Sequence, residues 1–115
     1  MTDPTDAELA TRYRPRLLTE QADLSRASEA TRGDRRPVEL DQQSVGRLSR
    51  MDALQGQAMA KGLEARRAAR TRALAAALER IDAGEFGWCE DCGEFIGRGR
   101  LDVDSCVTRC VSCAS

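Results

Sequence analysis

Four cysteines near the C-terminus have the residue type and the spacing of a metal site. They form two Cys-x2-Cys pairs, Cys89 with Cys92 and Cys110 with Cys113, and seventeen residues separate the pairs. Each pair can wrap one side of a tetrahedral Zn²⁺, and a connector of roughly fifteen to twenty residues is long enough to bring the pairs together. The sequence therefore predicts a zinc site with four thiolate ligands.

The predicted site is structural rather than catalytic. A catalytic zinc keeps one coordination position open for water, whereas four protein thiolates leave none. The chain contains no histidine, which excludes histidine-containing triads and removes the commonest general base. No convincing catalytic constellation is found elsewhere in the sequence, so we expect a protein that is not an enzyme.

The fifth cysteine, Cys106, lies outside both pairs. Spacing favours Cys110 as the ligand, because Cys110 forms a Cys-x2-Cys pair with Cys113 and Cys106 does not. A substitute ligand and a redox-sensitive thiol remain alternatives, since thiol reactivity depends on pKa and exposure. We interpret Cys106 as a bystander.

The remaining composition favours long amphipathic helices over a globular core. The 115 residues include only four aromatic side chains, and three of these, Phe86, Trp88 and Phe95, surround the first cysteine pair. No segment approaches the roughly 20 apolar residues of a membrane span, and the N-terminus has no basic segment followed by an apolar one. We therefore expect a cytoplasmic protein without a membrane partner.

The N-terminal part predicts one helix of moderate length. Residues 1–14 are expected to form a tail or a short helix. Pro15 either opens a helix at its first position or kinks one already begun, because it cannot donate a hydrogen bond to the preceding turn. The first helix then continues from Arg16 to about Ala30, with its leucines compatible with one apolar stripe.

A second, longer helix is predicted after a turn. A glycine and a proline close together place the turn around residues 31–43. Asp41 or Ser44 can cap the helix that follows, and Gly84 can stop it. Its apolar residues recur mostly at intervals of three and four, as one helical face requires. They are Val45, Leu48, Met51, Leu54, Ala58, Met59, Leu63, Leu74, Leu78 and Ile81.

Together these elements predict a mainly α fold. A single helix of about 40 residues is not stable in water with its apolar stripe exposed. We expect the first helix to fold back on it as an antiparallel, coiled-coil-like hairpin. The predicted organisation is a tail over 1–14, a helical hairpin over 15–84 with its tip around 31–43, and a four-cysteine finger over 85–115.

The finger carries a specific motif in the last third of the chain. It reads Gly84-Glu85-Phe86-Gly87-Trp88-Cys89-Glu90-Asp91-Cys92-Gly93-Glu94-Phe95-Ile96-Gly97, followed by Arg100-Leu101 and Cys110-x2-Cys113. The order of the motif and the seventeen-residue connector resemble the C4-type zinc finger of the DksA/TraR family of bacterial transcription regulators. Upstream of the finger the resemblance rests on architecture alone.

The resemblance implies a protein that binds RNA polymerase rather than DNA. In the family, a helical hairpin enters the secondary channel that leads to the polymerase active centre, and acidic residues at the hairpin tip act near the catalytic Mg²⁺. This changes the stability of promoter open complexes, frequently together with guanosine tetraphosphate. The zinc finger would hold the base of the hairpin and touch the rim of the channel.

The tip departs from the family pattern. Family tips read Asp-x-x-Asp-x-Ala, and the closest match here, Val38-x-x-Asp41-x-Gln43, keeps only the second acid. Asp41, Glu39 and Asp34 are the candidate tip acids. The alternative is that these carboxylates only solvate a turn, as most loop carboxylates do.

Two other functions are compatible with the residues. One is a direct nucleic-acid binder that uses the finger and the arginine-rich part of the second helix, but the net charge is −1 and the finger is acidic, so direct DNA binding is not expected. The other is a helical adaptor, for instance a homodimer whose apolar stripes pair between chains. The excess length of the second helix over the first motivates the adaptor hypothesis.

Overall fold

Helices make up most of the residues that the structure describes. The computed structural model describes residues 3–36 and 47–114, with only the backbone of Arg47 and Leu48. Its elements are α1 (Asp6–Ala30), a short 3-10 helix (Arg32–Arg35), α2 (Arg47–Ala83), α3 (Arg98–Val103) and α4 (Val111–Ala114). Within these ranges no strand forms, and a single isolated antiparallel bridge joins Trp88 to Phe95.

Two compact units contain these elements. We call Met1–Ala22 with Thr71–Ser115 the finger unit and Asp23–Arg70 the turn unit. In the finger unit Arg14 of α1 pairs with Asp82 of α2 at 2.8 Å, and in the turn unit Arg35 pairs with Glu64 at 3.3 Å. In each unit a residue from the first half of the chain pairs with one from the second half. As the first position moves forward from Arg14 to Arg35, its partner moves back from Asp82 to Glu64, so the paired segments are antiparallel. The predicted class, a mainly α helical hairpin with a four-cysteine finger, is confirmed.

The apolar core lies in the finger unit. Leu9, Tyr13 and Leu17 are buried and recur at intervals of four, which places them on one face of α1. The other buried apolar residues come from α2 and from the finger. They are Leu74, Ala77, Ile81, Phe86, Cys89, Ile96 and Leu101.

The first helix includes Pro15 in its interior. α1 starts at Asp6 and continues through Pro15, so of the two alternatives for Pro15 the structure has a helix already begun before the proline. The hydroxyl of Thr5 accepts the N–H of Glu8 at 3.1 Å and supplies an N-terminal cap. A proline inside a helix costs about 3 kcal/mol, and burial of the α1 stripe on both sides of Pro15 offsets that cost. The domain boundaries at residues 14 and 84 stay a prediction.

The second helix ends where it was predicted to end. α2 stops at Ala83, and Gly84 adopts a φ of 74°, a left-handed conformation that glycine tolerates without a steric cost. The predicted caps at Asp41 and Ser44 lie outside the described residues. Among the helices that the structure does describe, none combines the length and the apolar character that a membrane span needs.

Only part of the predicted α2 stripe is buried. Leu74 and Ile81, in the finger unit, are buried. The larger apolar side chains of α2 that are described in the turn unit are exposed, namely Met51, Leu54, Met59 and Leu63. The periodicity therefore predicted the helix correctly, but it did not distinguish the buried half of the stripe from the exposed half.

Candidate metal centre

The four predicted ligand cysteines come together in the finger unit. The Sγ atoms of Cys89, Cys92, Cys110 and Cys113 all lie within 4.8 Å of one another, and those of Cys92 and Cys110 are 3.7 Å apart. Tetrahedral zinc with Zn–S bonds of about 2.3 Å places its sulfurs about 3.8 Å apart. The donor set and its spacing therefore fit Zn²⁺, and Cys106 is not part of the cluster.

Backbone hydrogen bonds shape the two halves of the cluster. The N–H of Cys89 donates to the Glu94 carbonyl at 2.8 Å, and the N–H of Gly93 donates back to the Cys89 carbonyl at 2.9 Å. Gly93 has a φ of 74°, which closes this tight turn at a residue without a Cβ. The N–H of Glu90 donates to the Thr108 carbonyl at 2.9 Å. This bond joins the first cysteine pair to the segment that carries the second pair.

The sulfur atoms strongly influence one another's ionisation. Backbone N–H groups of Cys110 and Cys92 lower the pKa of Cys89 to about 6. Hydrogen bonding with Cys110, and then with Cys89, raises the pKa of Cys113. Four thiolates this close repel one another, so they cannot all ionise without a cation. A divalent ion that displaces the thiol protons removes this repulsion, and binding of the ion is coupled to folding.

A second group of residues ties the finger to α1. Asp102 of α3 accepts two hydrogen bonds from the Arg12 guanidinium, at 3.2 and 2.8 Å, and one from the Tyr13 hydroxyl at 2.8 Å. Arg16 donates to the Asp102 carboxylate and to its carbonyl, both at 2.9 Å. We call these four residues the Asp102 node. The hydrogen bonds from Arg12 and Tyr13 lower the pKa of Asp102 to about 2.

The Asp102 node also encloses the buried tyrosine. The guanidinium carbons of Arg12 and Arg16 each lie 5.6 Å from the centroid of the Tyr13 ring, at a distance where a cation is attracted to the ring face. The Phe86 ring lies 5.4 Å from the same centroid. Sequence reasoning missed this node, because its members lie about 90 residues apart and pair only in the folded chain. The one local signal is that Arg12 and Arg16, on either side of Tyr13, are four residues apart and therefore lie on the same face of a helix.

The end of α2 holds the entry to the finger. The Arg80 carbonyl accepts the N–H groups of Glu85 and Phe86 at 2.9 and 3.2 Å, and the Arg80 guanidinium donates to the Trp88 carbonyl at 3.0 Å. The indole N–H of Trp88 donates in turn to Asp6 of α1 at 3.2 Å. The segment at the first cysteine pair is thereby fixed to both α1 and α2.

Of the three candidate tip acids, one lies within the described residues. Asp34 is exposed and lies in the 3-10 helix Arg32–Arg35, which we call the Asp34 turn. Glu39 and Asp41 lie outside the described residues, as does the Val38-x-x-Asp41-x-Gln43 match.

The fold and the cysteine cluster define a helical hairpin protein with a C4 zinc finger. Residues 84–115 match the family model of the prokaryotic dksA/traR C4-type zinc finger. The chain is similar to the structure of transcription factor DksA2 from Pseudomonas aeruginosa, with a TM-score of 0.75 and 24% identity over 90% of this chain and 78% of that chain. Comparison with curated proteins gave no match. The resemblance of the finger to the DksA/TraR family is confirmed, and the four clustered cysteines fit the structural zinc that their spacing predicts.

Proposed function

We propose that this protein is a bacterial transcription regulator that binds RNA polymerase through the secondary channel. Its helical hairpin enters the channel, and acidic residues near the turn act close to the polymerase active centre and change the properties of initiation complexes. A protein with this role acts in the cytoplasm and is not an enzyme.

The observation that carries the proposal is a C4 finger of the dksA/traR type joined to paired antiparallel helices. The finger match at residues 84–115 and the fold shared with a transcription factor of known structure both support it. Paired helices can deliver a few carboxylates into a narrow passage, where a low dielectric and a nearby cation strengthen their effect.

Zinc has a structural role in this proposal. Cys89, Cys92, Cys110 and Cys113 would each supply one thiolate, which leaves no position for a reacting water. When bound, the ion cross-links the finger and stabilises its folded state, because this segment is too small to fold by apolar burial alone. The contacts of the Asp102 node and of Arg80 then hold the folded finger against α1 and α2.

The first test is binding to RNA polymerase. Zinc-loaded protein at micromolar concentration is expected to form a stoichiometric complex with the bacterial core enzyme and to displace another secondary-channel ligand. The reason is that both ligands would occupy one narrow passage. Absence of such displacement would rule out the channel as the binding site.

The second test is in vitro transcription with variants of the candidate acids. Asp34→Ala, Glu39→Ala and Asp41→Ala are compared with the wild type, each with and without guanosine tetraphosphate. A variant that still displaces the competitor but has lost its effect on transcription identifies the acting carboxylate. If all three variants match the wild type in transcription, the tip acids have no role in the mechanism.

A helical adaptor is the second candidate function. The exposed side chains of Met51, Leu54, Met59 and Leu63 favour it, because large apolar side chains exposed on one segment of a helix can serve as a protein–protein surface. Light scattering over a range of concentrations distinguishes the two functions. A concentration-dependent dimer without an effect on transcription would support the adaptor. A monomer that displaces the channel ligand would support the regulator.

Direct binding to nucleic acid has weaker support. The finger segment 84–115 carries six acidic residues and three arginines, so it does not present the basic surface that phosphate contacts require. Strong binding to duplex DNA that weakens steeply with added salt would nevertheless revive this hypothesis.

A further inference from the structure

A cluster of charged and polar side chains joins the end of α1 to α2 within the turn unit. The hydroxyl oxygen of Thr31 accepts hydrogen bonds from the guanidiniums of Arg35 and Arg67, both at 2.9 Å. Glu64 lies 3.3 Å from Arg35 and 3.6 Å from Arg67. We call these four residues the Thr31 cluster. From the sequence, only Arg67 among them was considered, as part of the arginine-rich stretch of the second helix.

The Thr31 cluster caps the C-terminus of α1. The Thr31 hydroxyl donates to the Ala27 carbonyl at 3.0 Å, and Arg35 donates to the Ser28 carbonyl at 3.0 Å. The last turn of α1 has no basic residue of its own, although cations stabilise the negative end of a helix dipole. The cations come instead from the Asp34 turn and, through Arg67, from α2.

Glu64 balances the two guanidiniums. The side chains of Arg35, Arg67 and Glu64 are 21%, 23% and 28% exposed, so their charges are screened less than those of surface pairs. The Glu64 Oε2 atom is buried and accepts no hydrogen bond within the part of the chain described. It therefore acts through its charge, and removing that charge would leave two neighbouring cations to repel each other.

The Asp34 turn is attached to α2 on both sides. On its N-terminal side, Thr31 accepts the hydrogen bond from Arg67, and the N–H of Asp34 donates to the Thr31 carbonyl at 3.0 Å. On its C-terminal side, the amide of Gln57 donates to the Arg36 carbonyl. The Asp34 side chain itself is exposed. An exposed carboxylate on a turn held at both sides is presented in a defined direction.

We infer that Arg67 and Glu64 are positioning residues that hold the Asp34 turn so that Asp34 is presented to the polymerase. This inference rests on the proposed function and deepens it, because it names Asp34 as an acting carboxylate. Arg67 and Glu64 act through the turn and make no contact with the polymerase active centre themselves.

Amide hydrogen exchange tests the structural half of the inference without polymerase. Arg67→Ala is expected to speed exchange in residues 27–36 about tenfold, because a charge-assisted hydrogen bond and an ion pair are lost. Arg66→Ala is the matched control, since Arg66 is the exposed neighbour on the same helix and should leave exchange unchanged. Exchange in Arg67→Ala within about twofold of the wild type would overturn the inference.

Polymerase assays test the functional half. Arg67→Ala and Glu64→Gln are expected to displace the channel competitor within about twofold of the wild type while losing most of the effect on transcription. Arg67→Ala combined with Asp34→Ala should be no worse than the more damaging single variant, because both changes remove one contribution. Arg66→Ala should retain the wild-type effect.

Three results would overturn the functional role while leaving the proposed function intact. They are wild-type activity in Arg67→Ala, wild-type activity in Asp34→Ala, and additive losses in the double variant. A wild-type protein that neither displaces the competitor nor alters transcription would instead refute the proposed function, and the role of Arg67 on the polymerase would be refuted with it.

Discussion

At the residue scale, Asp102 is the carboxylate with the most partners in the finger unit. It joins α3 to α1 through three side chains, those of Arg12, Tyr13 and Arg16. Such convergence on one acid matters because a single arginine–carboxylate pair at a surface contributes little, whereas a bidentate pair in a network contributes more. Asp102 should therefore be the polar residue of the finger whose loss most weakens the attachment to α1.

We predict that Asp102→Asn lowers the urea midpoint of the zinc-loaded protein. The pKa of Asp102 is lowered from 3.8 to about 2, so its contribution is fully present above about pH 4 and is lost as the pH falls through about 2. The difference between wild type and variant should thus be constant from about pH 6 to pH 8. Urea unfolding followed by far-UV circular dichroism measures it.

Asp91→Asn is the control for this prediction. Asp91 pairs with Arg109 at 3.1 Å, and both residues of that pair belong to the finger itself, so its loss should not weaken the attachment to α1. A wild-type minus Asp102→Asn difference that changes markedly between about pH 6 and pH 8 would contradict the assigned ionisation.

Gly87 is a position where both backbone and space demand glycine. Its φ is 87°, and an added Cβ would lie 3.0 Å from a methyl carbon of Leu9. We predict that Gly87→Ala destabilises the folded protein by about 1–3 kcal/mol, measured as the free energy of unfolding with zinc bound. Gly93→Ala has the same backbone strain but no atom within 4 Å of the added carbon, so it should cost less. An equal or larger loss in Gly93→Ala would contradict the steric contribution.

At the element scale, the α2 stripe shows what periodicity can and cannot predict. Leu54 and Leu74 both belong to the periodic apolar pattern that predicts one helical face. Leu54 is nevertheless 51% exposed, whereas Leu74 is fully buried. Burial depends on whether another element packs there, and that information is not local. The sequence left two alternatives for Pro15 for the same reason, because the penalty of a proline is local and the burial of Tyr13 that offsets it is not.

The cysteine cluster was predictable for the opposite reason. The Cys-x2-Cys spacing itself indicates a metal site, because each pair can supply two ligands of one tetrahedral ion. The connector only has to be long enough for the two pairs to meet. The Asp102 node and the Thr31 cluster carry no such signal, since arginine, glutamate and threonine are common on any helix surface. The interactions that these side chains make depend on which residues the fold places opposite them.

We predict that Leu74→Ala costs about 2–5 kcal/mol of unfolding free energy, because it leaves a cavity in the core of the finger unit. Leu54→Ala is the matched control on the same helix, and it should change stability by less than about 0.5 kcal/mol. Urea titration of both variants measures the two values. Comparable losses would mean that Leu54 is buried in solution, for example against a second copy of the chain.

At the scale of the whole molecule, stability is concentrated around the metal centre. Every buried apolar core residue in the described ranges belongs to the finger unit, and the described part of the turn unit is joined by polar contacts such as the Thr31 cluster. Four of these core residues, Phe86, Cys89, Ile96 and Leu101, lie in the finger itself. Folding of the finger therefore completes the core that α1 and α2 need.

Zinc removal should consequently disturb more than the finger. A chelator at neutral pH is expected to remove one zinc per chain, shift Trp88 emission to longer wavelength and lower the thermal midpoint of the helices. Trp88 is the only tryptophan and its indole donates to Asp6 of α1, so its emission reports directly on the contact between finger and helix. Cys106→Ser should keep the zinc and the emission, whereas Cys110→Ser should lose both. Unchanged emission and melting after elemental analysis has confirmed zinc loss would show that the core forms without the metal.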